Sequence, residues 1–185
     1  MNAAPIYVVD VIGKVVKAVS DKLYPAPAKG IQYQYGRSIQ ILNKLQALNN
    51  AINDDTKNSK YPLVALFQDF PETHSTYFDF TVRIPKISIA TLTNSTDEPP
   101  KRYAQTFKPI LYPIYGEFLK QLARHPNVVA PIGGDDFNHI KWDRPGTQPE
   151  TDPTKKSNFN DYVDAIEIQN LEVTFRKINS CKKLN

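Results

Sequence analysis

Two long segments of this chain alternate as strands do and then slip out of phase partway along. Residues 76–93 read TYFDFTVRIPKISIATLT. Phe78, Phe80, Val82 and Ile84 occupy every second position, the period of a half-buried strand. After Pro85 the phase changes, and Ile87 and Ile89 carry it on. Residues 162–177 behave alike, with Ile166 and Ile168 followed by Leu171, Val173 and Phe175. A one-residue slip turns the other face inward unless a bulge or turn absorbs it. The first segment is therefore one bulged strand or two strands broken at Pro85-Lys86. Such segments predict a sheet scaffold built for shape.

The remaining periodicity is helical in three places. Val8, Ile12, Val15, Val19 and Leu23 fall on one face of a helix over 6–23, weakened slightly by Gly13 and ended by Tyr24-Pro25. Ile41, Leu45, Leu48 and Ile52 do so over 39–53, with Ser38 as a candidate cap. Phe107, Leu111, Ile114, Phe118 and Leu122 mark a third helix over 106–124. Pro113 sits badly inside it, so the preferred start is Pro113 itself, with a separate turn before it. Residues 31–35 read as a short strand. The run YPLVALF at 61–67 reads as a strand covered on both sides. His139 to Trp142 read as another short strand. Residues 145–158 read as a long surface loop and 178–185 as a basic tail. Consecutive strands without intervening helices favour antiparallel pairing. The expectation is one domain over 1–185, of class α+β, mainly antiparallel, with amphipathic helices packed on one face of the sheet.

Composition narrows function more by exclusion than by sign. At 185 residues the chain can bury a core without staples, and a single cysteine, Cys181, rules out an internal disulfide and a cysteine metal cluster. Fifteen prolines against seven glycines predict rigid, irregular connections. The apolar stretch 6–16 is interrupted by Asp10 and Lys14, so it predicts neither a leader nor a membrane span. A net charge of +4 is mild, and its clearest concentration is Arg176, Lys177, Lys182 and Lys183 at the end. That end is a solvated tail or an arm for an acidic partner or phosphate backbone.

Catalytic signatures are sparse. The loop Gly133-Gly134-Asp135-Asp136-Phe137-Asn138-His139, followed by Asp143, is the best candidate. Asp135, Asp136 and His139 can in principle hold a divalent metal and activate water. Asp and Asn after paired glycines are also what a turn requires, and the turn reading is preferred. Asp69 and Glu72 flank Phe70-Pro71 as a further carboxylate pair, and His74 and His125 have no evident catalytic partner. No phosphate-binding or dinucleotide fingerprint and no serine elbow occurs. No catalytic residue, cofactor or metal is assigned. Interface candidates are Arg83 and Lys86 on the slipped segment and Arg176 and Lys177 at the basic end.

The order of elements, together with Lys60-Tyr61-Pro62-Leu63-Val64-Ala65-Leu66-Phe67, Ile110-Leu111-Tyr112-Pro113-Ile114-Tyr115 and Asp164-Ala165-Ile166-Glu167-Ile168-Gln169-Asn170-Leu171-Glu172-Val173, resembles the neck and tail-completion proteins of tailed bacteriophages, tail terminators in particular. The resemblance covers residues 5–177 in layout and carries over no functional residue. It implies a non-enzymatic virion subunit made in the host cytoplasm. That subunit forms a ring of itself, commonly hexameric, between the tail-tube protein and the head–tail connector or stopper protein. DNA would meet it only in the lumen, and no membrane is involved. Another neck ring, a metal-dependent hydrolase using the 133–143 loop, and a nucleic-acid accessory protein using the basic end are the alternatives.

Overall fold

The computed structural model describes residues 6–49, 59–76, 79–129, 138–147 and 161–176. In chain order the elements are α1 (Val8–Leu23), β1 (Gln32–Gly36), α2 (Ser38–Asn49), β2 (Leu63–Phe67), β3 (Glu72–His74) and β4 (Asp79–Leu92). There follow α3 (Pro99–Arg102), a π-helical stretch π1 (Tyr103–Leu111), α4 (Tyr112–Arg124), β5 (Ile140–Thr147) and β6 (Val163–Arg176). One six-stranded sheet runs β1-β2-β4-β6-β5, with β3 beside β4. Among the described residues only β1 and β2 are parallel, with α2 in the crossover between them, and the other pairings are antiparallel. The class is α+β, as the segment order implies.

The two slipped segments are the centre of the sheet, and they slip together. β4 pairs β6 from Asp79↔Arg176 to Leu92↔Val163 with no change of register. That register places Pro85 opposite Asn170. Asn170 adopts φ 54, the left-handed region that Asn tolerates better than most residues. Pro85 supplies no N–H for the ladder at the same point. Both strands turn over there at once, so Phe80, Val82 and Ile84 enter the same buried cluster as Ile87 and Ile89. Their partners Phe175, Val173, Leu171, Ile168 and Ile166 follow them. A matched kink thus replaces the single-strand bulge that the sequence suggested. Asp79–Leu92 is one strand, not two.

The helices do not share one face, which corrects the sequence expectation. Val64 and Leu66 of β2 join the larger cluster with α1, π1 and α4, including Ile12, Leu111, Phe118 and Leu122. Leu63 and Ala65 point the other way and pack with Ile41 and Leu45 of α2. The reason lies in β2 itself: a strand apolar on both sides needs cover on both. Gly13, a weak point by propensity, admits a close neighbour instead, since a Cβ there would stand 3.0 Å from Tyr33 Cε1.

Two helix boundaries also differ from expectation. The α-helical part of the third helix begins at Tyr112, with Pro113 in its first turn as expected, but the turn before it is not separate: α3, π1 and α4 run on from Pro99 to Arg124. Pro109 falls within the π stretch, whose bonds reach one residue further, as in Tyr112 N–H to Phe107 O, and Pro113 falls in the first turn of α4, where proline is tolerated. At α2, Ser38 lies inside the helix rather than before it, and the N-terminal bond comes from Arg37 N–H donating to Gln40 Oε1 at 2.9 Å. β5 extends the expected short strand to Thr147, with its register broken between Arg144 and Thr147, where Pro145-Gly146 falls. Residues 145–147 therefore belong to a strand. The rest of 145–158, and the tail 178–185, lie outside the described residues.

Candidate functional site

Among the described residues, the face of the sheet that carries α2 is roofed at one end only. Alternation places Leu63 and Ala65, Ala90, and Val163 and Ala165 beneath α2. Farther along the same face the side chains are Ser88 and Lys86 on β4, Glu167 and Gln169 on β6, and Trp142 and Ile140 on β5. Lys86 lies over the Phe67 ring, 4.0 Å from its centroid, and 3.8 Å from the Glu167 carboxylate. Glu167 is buried and accepts a further bond from Gln169 Nε2 at 3.1 Å. Beside this polar floor Ile140 and Trp142 are 53% and 52% exposed. Large apolar side chains on an edge strand next to a charged floor make the pattern of a contact surface.

The opposite side of β5 is closed by a polar cluster against α4. Tyr112 Oη donates to Asp143 Oδ2 at 2.5 Å, and that bond pushes the phenol up to about 12. Lys141 Nζ lies 4.6 Å from the centroid of Tyr112 and 3.4 Å from Asp143 Oδ2. Tyr115 Oη and His139 Nε2 are 2.7 Å apart. The cluster fastens β5 and the start of α4 to each other.

Two further ion pairs tie strand ends to the rest of the fold. Arg102 and Thr106 both bond the carboxylate of Asp164, which is fully buried at the start of β6. Lys60, only 3% exposed, pairs with Asp161, and Tyr61 Oη donates to the same carboxylate at 3.2 Å. Burial and the Asp161 charge push the Tyr61 phenol upward. A buried cation without its carboxylate would be costly, so both pairs are structural fixtures.

Asp135 and Asp136 lie outside the described residues, as do Lys177 and Cys181. His139 is brought to Tyr115. Among the described residues no group of three or more His, Cys, Asp or Glu is placed to hold a metal. Asp69 pairs with Arg37 at 3.1 Å, whereas Glu72 stands 3.4 Å from His74, so the flanking carboxylates serve different partners. His74 also stacks on Phe80, with centroids 5.2 Å apart. His125 Nδ1 accepts from Asn127 N–H at 3.3 Å. Of the interface candidates, Arg83 is exposed opposite Glu172, and Lys86 belongs to the open floor just described. Arg176 forms a two-point bond with Asp79 at 2.8 and 2.9 Å.

Sequence reading missed Ile140 and Trp142 as surface residues and Asp164 and Asp161 as ion-pair anchors. Alternation shows that Ile140 and Trp142 share a face but not that they stand about half exposed on it. Among the described residues no helix is long and apolar enough to cross a membrane. No family model and no curated protein matches the chain.

Proposed function

We propose that this chain is a structural subunit of a bacteriophage neck, a tail-terminator-like protein that forms a ring of identical copies. The observation that carries the reading is the half-roofed sheet face, where Ile140 and Trp142 stand exposed beside the Lys86–Glu167 floor. A ring closes through two different surfaces of the same subunit, and an edge strand with exposed aromatic and aliphatic groups suits one of them. The ring would sit in the virion between the tail-tube protein and the head–tail connector or stopper protein, with no chemistry of its own. The layout resemblance to neck and tail-completion proteins supports a neck role, with another neck ring as the alternative within it. Negative-stain images and sedimentation velocity of the purified protein test it. Closed rings that fall apart on Trp142→Glu are expected. A chain that stays monomeric at the highest attainable concentration, alone and with tail-tube protein, would refute it.

A further inference from the structure

A different border of the sheet, β1, carries an independent inference. Gln32 N–H donates to Pro62 O at 2.8 Å, and Gln68 N–H donates to Gly36 O at 3.1 Å. With Gln32↔Leu63 and Gly36↔Phe67 in register, a parallel ladder engages the backbone of Gln32, Gln34 and Gly36 with β2. The N–H and C=O groups of Tyr33 and Tyr35 therefore point outward, away from the sheet. Among the described residues no strand lies beyond β1. Edge strands are commonly guarded by charge, proline, a bulge or brevity. β5 has Lys141, Asp143, Pro145 and a register break, and β3 has three residues. Within its own sequence β1, QYQYG, has none of these guards; Lys44 of α2 stands beside its Tyr35 ring.

The outward groups are symmetric about Gln34. An antiparallel copy of β1 centred there would set Tyr33 opposite Tyr35 of the second copy, and Tyr35 opposite its Tyr33. Both would be hydrogen-bonded pairs, using all the outward groups. Cross-strand aromatic pairs of this kind stabilise an antiparallel ladder. The surroundings match in charge as well. Lys44 Nζ lies 5.3 Å from the Tyr35 ring centroid and has no carboxylate partner among the described residues. Asp10, exposed on α1, lies close enough to Tyr33 to act on its phenol. It too has no cationic partner among the described residues. The two-fold therefore carries each Lys44 toward the other copy's Asp10. Tyr33 itself is fixed, since its hydroxyl donates to Val9 O at 2.9 Å.

We propose that two copies of this chain pair through β1, antiparallel about Gln34, to make one continuous sheet. The contact is isologous and so is not the ring joint, which needs two different surfaces. It would join two single copies or two rings face to face.

Oxidative cross-linking tests it directly. At the two-fold, Gln34 faces its own copy in a non-hydrogen-bonded pair with Cα atoms about 4.5 Å apart, inside the disulfide range. In a Cys181→Ser background, Gln34→Cys is expected to give a covalent dimer, and Gln32→Cys, which would face Gly36 of the other copy, far less. On the unaltered protein, amide exchange at Tyr33 and Tyr35 should slow as concentration rises. Asp10→Lys or Lys44→Asp alone should weaken self-association about threefold to tenfold, and the double reversal should restore it. Equal cross-linking by Gln34→Cys and Gln32→Cys, or exchange at Tyr33 and Tyr35 that ignores concentration, overturns the proposal. Rings that form while those two amides stay fast overturn this contact and leave the ring reading standing.

Discussion

The two faces of one sheet are built to different ends. On the face toward α1 and α4, β4 and β6 present Phe80, Val82, Ile84, Ile87 and Ile89 against Phe175, Val173, Leu171, Ile168 and Ile166, all buried. On the face toward α2 the same strands present Ala90 and Ala165 beneath the helix, then Lys86, Glu167 and Gln169 beyond it. Large branched and aromatic groups belong to a core that closes once, at folding. Small and charged groups ending in an exposed tryptophan are, on the proposed reading, the surface that another copy completes. The contrast teaches that one face is packed along its whole length with large apolar groups, whereas the other is packed only beneath α2 among the described residues.

The comparison breaks most sharply on substitution. Phe118→Ala, in the closed face, should cost about 3–5 kcal/mol in urea unfolding, whereas Trp142→Ala on dilute protein should cost within about 0.5 kcal/mol. Comparable losses would erase the distinction between the faces. Asp164→Ala should come next. It strands Arg102, which keeps some access to water, so about 2–3 kcal/mol is expected. A change below one tenth of the Phe118 effect would show that the buried pair contributes nothing.

The matched kink is a smaller lever. Asn170→Val forces a β-branched residue into φ 54 and should cost about 1–3 kcal/mol, while Asn170→Gly should be nearly neutral. Equal effects for Gly and Val would mean that the kink is not what holds both halves of the ribbon to one core.

The smallest expected effect is on pH dependence. Burial, and then the nearby Lys14 charge, hold His125 below its ordinary value. Its folded value thus lies below the unfolded one, so the unfolded chain takes up the proton first as pH falls. The contribution is complete above about pH 6.5 and is lost as pH drops through and below that value. Urea midpoints at about pH 7.5 and 5.5 should differ more for the wild type than for His125→Asn. Identical differences would remove His125 from the account.

Much of the architecture was legible because it rests on local period. The slips after Pro85 and Ile168 showed in the alternation itself, as did the two-sided apolarity of β2. That the slips lie opposite one another was not legible, because register is a property of two strands. The unbroken course of α3, π1 and α4 was hidden because nothing in the residues before Pro113 announces backbone bonds that span five residues. Helix placement failed for a related reason: the period of α2 gives a buried stripe but not the side of the sheet that buries it. The open surface was least legible of all. Ile140 and Trp142 look like core residues in any one-dimensional pattern, and only the position of β5 at the end of the sheet, beyond the reach of α2, exposes them.

Sedimentation velocity of the full chain over a wide concentration range, with wild type and Trp142→Glu run side by side, decides whether the face around Trp142 is a joint between copies. The account predicts discrete assemblies of the 21.0 kDa subunit for the wild type, lost in the variant, while both monomers unfold at the same urea concentration. A wild type that sediments as a monomer throughout, or assemblies that survive Trp142→Glu unchanged, would contradict it.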